Sequence, residues 1–302
     1  KNPLGGLARK KFFLKNMMSG RDSFLIDAGN ALFDSNQINP DNLSIENKRF
    51  KARNFVKTLE FLGQDVVNIG SNDFKGGLDF LISITKNSEV NFISANLYDK
   101  SSDKLIFEPY HILEKDGTKI AFIGLSEAAS SNSIINKNFI IEGNRYISEL
   151  KSSVDIIFLL VNVLDNNSID LSESFKNADY IFLSGSTKRT EPRSKQPDSG
   201  ALIYGGGIQG KHLSILDIRI KDLNKAINDV SAPFNRLQEI DYRLNKLQAK
   251  NTSIRLEELY ANQPNVLSLI KKYQKEATEL GISLASHQNR STFFSIPLSP
   301  SI

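Results

Sequence analysis

The sequence predicts an α/β fold over residues 1–221, followed by a helical segment and an extended tail. Three observations carry this. Short β-rich apolar runs recur along the first 221 residues, and helical-period patterns lie between several of them. Three of the runs end in Gly-containing turns with small polar residues at the tip: Leu25-Ile26-Asp27-Ala28-Gly29-Asn30, Val67-Asn68-Ile69-Gly70-Ser71-Asn72-Asp73-Phe74, and Ile181-Phe182-Leu183-Ser184-Gly185-Ser186-Thr187-Lys188. Such strand-end turns are where an α/β protein places its chemistry.

The strands are expected at 24–26, 65–69, 91–95, 119–124, 154–163, 180–183, 201–204 and 213–220. Between them, Phe50, Asn54-Phe55, Thr58-Leu59 and Leu62 recur at helical spacing within 47–62. Residues 78–85 and 170–177 have similar character. Asp116-Gly117 marks a hairpin turn between 110–114 and 119–124. The stretch 205–220 alternates in a more antiparallel manner. After Lys221, Leu223, Ile227, Val230, Phe234, Leu237, Leu244 and Leu247 fall mostly three or four apart, a helical stripe. Ser231 and Pro233 suggest a helix start, Asn262-Gln263-Pro264 punctuates again, and Gly281 is expected to stop the second helix. Residues 222–281 thus read as an αα-hairpin, and 282–302, with Pro297 and Pro300, as a strap or tail.

Bulk properties narrow the function classes. With 40% hydrophobic and 24% charged residues among 302, the chain is that of an ordinary globular protein. Its net charge of +4 is spread in short pairs, Lys10-Lys11, Lys188-Arg189 and Lys271-Lys272, so no nucleic-acid-binding arm is expected. The absence of cysteine excludes disulfides, cysteine nucleophiles and Cys-ligated zinc within these residues, without fixing the compartment. No apolar run approaches the ~20 residues of a membrane span. The opening Lys1-Asn2-Pro3 carries no Met, so any targeting signal or anchor is expected upstream of Lys1.

Residues 4–221 resemble the catalytic domain of bacterial 5′-nucleotidases, members of the calcineurin-like metallophosphoesterases. The matching segments are collinear: Gly5-Gly6-Leu7-Ala8-Arg9-Lys10, Asp27-Ala28-Gly29-Asn30, Asp65 to Asp73, Ser94-Ala95-Asn96-Leu97, Glu108-Pro109-Tyr110, Asp116-Gly117, Ile123-Gly124-Leu125, and Gly210-Lys211-His212-Leu213 leading into Leu216-Asp217. The resemblance implies a four-layer α/β/β/α sandwich and a place in the bacterial periplasm or cell envelope. It also implies two divalent metals about 3.5–4 Å apart that clamp a phosphate and activate a water.

The ligand positions depart from that pattern. Asn30 stands at the bridging aspartate, which removes the anion that offsets two dications. Ser71-Asn72 stands at an Asn-His pair, Asn162 at a strand-end histidine, and Ser186 and Lys188 at the two histidines of a G-H-x-H turn. Lys188 brings an ammonium with no free lone pair to a metal position. Asp73 keeps a carboxylate beside the tip. An Asp-x-His pair would precede Lys1. The expectation is therefore a chain with no resident metal or other cofactor and no hydrolytic activity by the family mechanism.

Other features have plainer readings. His111, His212 and His287 read as surface or packing histidines. Gly205-Gly206-Gly207 lacks the lysine and hydroxyl of a phosphate loop and reads as a tight turn. Asp165-Asn166-Asn167-Ser168 is oxygen-rich without calcium-loop spacing. The loop 187–199 reads as an exposed insertion, and the 19 phenylalanines as core. The helical segment stands where the family's substrate-specificity domain would follow.

Three functional expectations result. The first is a non-catalytic homologue that acts as a binding or structural component of the bacterial cell envelope, with the hairpin 222–281 as its contact surface for protein partners. The second is a hydrolase with a site rebuilt on Asp73, Asn30 and Asn162, plus ligands upstream of Lys1. The third is an anion or nucleotide sensor using Lys188, Arg189 and turn N–H groups.

Overall fold

The computed structural model describes residues 4–20, 22–34, 42–129, 131–164, 169–191, 194, 196–197, 199–223, 225–249 and 251–299. The opening Lys1-Asn2-Pro3, the run 165–168, Arg193 and three other positions of the loop 187–199, and Pro300 lie outside them.

Along the chain run α1 (Leu7–Met17), β1 (Ile26–Asp27), α2 (Asn42–Leu62), β2 (Val66–Asn68), α3 (Leu78–Thr85) and β3 (Asn91–Ile93). Next come β4 (Leu97–Asp99), β5 (Lys104–Leu105), β6 (Tyr110–Lys115), β7 (Thr118–Ser126), β8 (Ile134–Asn136), α4 (Phe139–Leu150) and β9 (Ile156–Asn162). They are followed by α5 (Leu171–Ser174), β10 (Tyr180–Ser184), β11 (Leu202–Gly205), β12 (His212–Arg219) and β13 (Asn228–Asp229). The chain closes with α6 (Ser231–Gln248), α7 (Leu256–Leu259), α8 (Pro264–Ser286) and β14 (Arg290–Pro297). Two compact units result, one of Lys1–Thr190, Pro197–Leu213 and Pro297–Ile302, the other of Glu191–Gln196 and Ser214–Ile296.

The first unit is built on two main sheets. β1, β2 and β3 pair in parallel. The second sheet has the order β11-β10-β9-β7-β6, parallel except that β6 pairs antiparallel with β7. That hairpin turns on Asp116 (φ 49°) and Gly117 (φ 76°), the left-handed pair a two-residue turn requires. β9 is buried along its whole length, as expected of a central parallel strand covered on both faces.

Strand alternation sorts its side chains into layers. Ala121, Ile123, Leu125, Ile157, Leu159 and Val161 pack outward with Phe139, Tyr146, Ile147 and Leu150 of α4 and with Phe175. The intervening residues Phe122, Phe158, Tyr180, Phe182 and Tyr204 face the other way as a ladder of rings. Phe158 lies 5.2 Å from Phe122 and 4.7 Å from Tyr180, centroid to centroid. Val67, Ile69 and Phe92 of the first sheet pack on Ala52, Val56 and Leu59 of α2 and Leu78 and Leu81 of α3. Helices, sheet, sheet and helices make the four-layer sandwich. A Cβ on Gly124 of β7 would lie 2.6 Å from Asn68 Oδ1 and 2.8 Å from Ile93 O. Glycine there lets the two sheets meet backbone to side chain.

In the second unit α6 and α8 form the hairpin, with α7 between them. The Arg236 guanidinium holds Glu276 through two bonds of 2.6 and 2.8 Å, and Arg243 donates to the Tyr273 hydroxyl at 2.6 Å. Leu256, Tyr260 and Ile270 form its buried centre. β12, β14 and β13 form a sheet in that order.

Several expectations need correction. α8 does not stop at Gly281 but runs to Ser286. Gly281 has open space around it, and its cost of about 1 kcal/mol against alanine is offset by burial of Ile270, Tyr273 and Leu284 along the same helix. Within the extended segment 282–302, residues 290–297 form β14, and Leu298 belongs to the first unit, where its N–H donates to Lys211 O and its carbonyl accepts from Gly5 N. α1, α4 and the small β5-β4-β8 sheet were not legible from periodicity. Phe50 is not on the core face of α2. The face carrying Ala52, Val56 and Leu59 is buried, and a residue two positions from Ala52 is rotated about 200° away.

Candidate functional site

The site candidates sit where the carboxyl ends of the parallel strands in both sheets converge. β1 ends in the turn Asp27-Ala28-Gly29-Asn30, in which the Asp27 carboxylate accepts from Gly29 N at 2.9 Å. Asn30 adopts φ 63°, a left-handed conformation that asparagine tolerates better than most side chains. β2 runs into a 3₁₀ turn, Ser71–Gly76. A Cβ on Gly29 would lie 3.1 Å from both Asn68 O and Gly70 N, so the two turns lie backbone against backbone. In the other sheet Ser126, Asn162 and Ser184 stand side by side in register at the ends of β7, β9 and β10.

A hydrogen-bonded network joins these tips. The Asn162 side-chain oxygen accepts from Ser71 N at 2.9 Å, and its amide donates to Ser184 Oγ at 2.9 Å. Ser184 Oγ donates to Ala28 O at 2.8 Å, an oxygen that also accepts from Asn68 Nδ2 at 2.9 Å. Ser126 Oγ donates to Ile69 O at 2.6 Å. Asn30 Oδ1 accepts from Asn72 N at 2.8 Å and from Ser71 Oγ at 3.5 Å. The buried Asp73 carboxylate accepts from Gly70 N (2.8 Å), Asn30 N (3.1 Å) and Leu32 N (2.9 Å).

The structure thus brings together Asn30, Ser71, Asn72 (through its backbone N–H), Asp73 and Asn162. It adds Asn68, Ser126 and Ser184, which the sequence did not single out. Ser184 is the last residue of an apolar run before a glycine, and that was its only visible signal. Ser186 and Lys188 go elsewhere. Ser186 Oγ accepts from Lys188 N at 3.2 Å, a local turn bond, and Lys188 is exposed. With Arg189 they border a cavity of about 250 Å³ walled by Val163, Leu171, Leu183 and Ile203. Leu183 and Ile203 belong to the helix-facing layer of the five-stranded sheet, so the cavity opens on the other side from the ring ladder.

The fold implies a dinuclear metal centre, and the described residues do not fit one. Asn30 Oδ1, the Asn162 amide, and the Ser126 and Ser184 hydroxyls bind neighbouring side chains or the backbone, while Asn68 Oδ1 is buried without a partner among the described residues. Both Asp73 oxygens are taken up by three N–H donors. Among the described residues no group of three or more His, Cys, Asp or Glu side chains converges in a metal-holding arrangement.

Of the remaining charges, Asp73 is buried and Asp27 and Lys10 are half-buried. Burial pushes the Asp73 carboxyl up to about 7, helped by the Asp27 charge and opposed by the three N–H bonds. Burial also raises Asp27, with Gly29 N–H and the Lys10 charge opposing, and lowers Lys10, with Asp27 opposing. Asp73 therefore binds a proton more tightly in the folded chain than its ordinary 3.8 allows. Its contribution to stability is full below that ordinary value and is lost as pH rises through about 7. The expected result is a fall in the urea midpoint between pH 5 and 8 that flattens in Asp73→Asn.

Comparison with known proteins bears on the fold. No protein-family model matches the chain. It is 40% identical over 70 residues to a 5′-nucleotidase of Vibrio cholerae, covering 23% of this chain and 13% of that protein. It is 31% identical over 118 residues to the 5′-nucleotidase of Vibrio parahaemolyticus, covering 35% and 21%. The matched segments are thus a minor part of those relatives' length. Among solved structures it is similar to the calcineurin-like phosphoesterase YfkN of Bacillus subtilis, with TM-score 0.58 and 18% identity over 74% of this chain and 79% of that one. It is also similar to a 5′-nucleotidase precursor from Thermus thermophilus, with TM-score 0.57 and 16% identity over 73% and 46%.

Proposed function

We propose that this chain, which carries the calcineurin-like metallophosphoesterase fold of the 5′-nucleotidase type, acts as a non-catalytic binding or structural component of the bacterial cell envelope. The observation that carries the proposal is the hydrogen-bonded network at the strand ends. Asn30, Ser71, Asn162 and Ser184 bond to one another and to the backbone where the fold's chemistry needs carboxylates and imidazoles. With Asp73 turned to three backbone N–H donors, Asn30, Ser71 and Asn162 supply no anion to offset the repulsion of two dications at these tips.

The envelope placement rests on the resemblance to bacterial 5′-nucleotidases, of which the Thermus thermophilus protein is a precursor form. Among the described residues no helix is long and apolar enough to cross a membrane. The hairpin of α6 and α8 is the proposed contact surface for protein partners. Tyr242 on α6 and Ile282 on α8 are both about two-thirds exposed, apolar side chains available for docking.

The experiment is elemental analysis of the purified protein, together with hydrolysis of a generic phosphodiester and a nucleotide in added manganese. Well under one equivalent of Mn, Fe, Zn or Co and no turnover is the expected result. Stoichiometric metal with turnover would overturn the proposal in favour of the rebuilt hydrolase. A second reading, an anion or nucleotide sensor, is supported by the cavity bordered by Ser186, Lys188 and Arg189. Calorimetric binding of phosphate or a nucleotide, lost in Lys188→Gln, would favour it.

A further inference from the structure

Three phenylalanines of the first unit stand open to solvent. Phe12 on α1 is 54% exposed, and Phe50 and Phe61 on α2 are 64% and 69% exposed. Phe50 and Phe61 are 11 residues apart on one helix. At about 100° per residue that spacing returns Phe61 to within about 20° of Phe50, roughly 16 Å along the axis. The two rings therefore share the outward ridge, opposite the buried Ala52, Val56 and Leu59.

Lys51, Arg53 and Lys57 are exposed between them. Arg53 also lies over the Phe80 ring at 5.6 Å. α1 adds to the same surface: Lys11 Nζ donates to Phe61 O at 2.5 Å and sits 4.5 Å from the centre of the Phe61 ring, and Lys15 is exposed beside Phe12. The acidic residues of α2 are engaged. Glu46 is ion-paired with Arg49 at 2.7 Å, and Glu60 accepts from Ser88 Oγ at 2.7 Å.

We propose that α1 and α2 form a docking surface for an anionic lipid bilayer, with Phe12, Phe50 and Phe61 entering the headgroup boundary and Lys11, Lys15, Lys51, Arg53 and Lys57 meeting acidic headgroups. Aromatic residues interleaved with lysine and arginine on an exposed helix are the composition of an interfacial binding face. Each cation adds about 1 kcal/mol near an acidic surface. Lysine is depleted at protein–protein interfaces, which sets a bilayer above an acidic protein as the occupant. A convex ridge with separated rings also offers a protein partner no pocket, whereas a bilayer needs none. The proposal does not depend on whether the strand-end site is catalytic.

The test is flotation of the full chain with vesicles of phosphatidylcholine alone and of equal phosphatidylcholine and phosphatidylglycerol. Binding is expected to the acidic vesicles, to weaken strongly in 0.5 M salt, and to be slight on phosphatidylcholine. Phe50→Ser with Phe61→Ser should reduce binding at least ten-fold, as should Lys51→Gln, Arg53→Gln and Lys57→Gln together. All five positions are exposed, and circular dichroism checks that the variants fold. Absence of binding to acidic vesicles, or equal binding by wild type and variants, overturns the proposal. So does self-association of the wild type that is lost in Phe50→Ser/Phe61→Ser, which would make this face a contact between copies of the chain.

Discussion

Asp73→Ala is expected to destabilise the first unit by about 3–5 kcal/mol, the order expected when three buried N–H donors lose their acceptor together. The loss has a specific origin. Asp73 Oδ2 joins Gly70 N to Asn30 N, and Oδ1 takes Leu32 N, so one side chain fixes the turns after β1 and β2 against each other. Alanine would leave three N–H donors facing a cavity, each missing an acceptor that water cannot readily replace at a fully buried position. Asp73→Asn keeps the volume but turns one end of the group into a donor facing N–H groups, so it should recover only part of the loss. Denaturant unfolding of both variants measures this. Two near-wild-type midpoints would show that the turns hold without the carboxylate.

Gly185→Ala is expected to cost a further amount of similar size, about 3–5 kcal/mol, from left-handed backbone strain and overpacking together. Gly185 has φ 85°. A Cβ there would collide with the Val163 carbonyl oxygen and come within 2.9 Å of Asn162 Nδ2. The neighbour is backbone of the central strand region, so it cannot swing aside as a long side chain could. The substitution would push Asn162 off Ser184 and Ser71, and so disturb the network as well as the fold. Thermal unfolding reads the stability term, and amide exchange at Ser71 reads the bond to Asn162. A variant with wild-type stability and a protected Ser71 N–H would refute the argument.

Much of the fold was legible because burial leaves a period. β9 reads as a continuous apolar run since both its faces are covered, and α3 was placed at its true bounds, residues 78–85, by its apolar spacing. α4 was missed although Asn138 caps it by accepting from Ile140 N and Ile141 N. Its first turn, Phe139-Ile140-Ile141, reads as a β-rich apolar run, and only packing on β7 and β9 makes it a helix. α2 was placed, but its orientation was misread at Phe50. A helix with apolar residues on two sides does not declare from sequence which side meets a sheet.

The sequence alone determined the chemistry at each strand end: amides at Asn30, Asn72 and Asn162, hydroxyls at Ser71 and Ser186, an ammonium at Lys188, and one carboxylate at Asp73. Those identities already set what the turns can bind, because donor type belongs to the side chain and not to its surroundings. Tertiary structure alone decided which of them meet. Ser71 finds Asn162 across 91 residues and Ser184 finds Ala28 across 156, through the register of β7, β9 and β10 and the close approach allowed at Gly29 and Gly124. Lys188, two residues past Ser186, falls outside that meeting point and borders a separate cavity instead. Contacts of such long range depend on how sheets stack, and that is fixed by the summed burial of many residues, which no local pattern encodes.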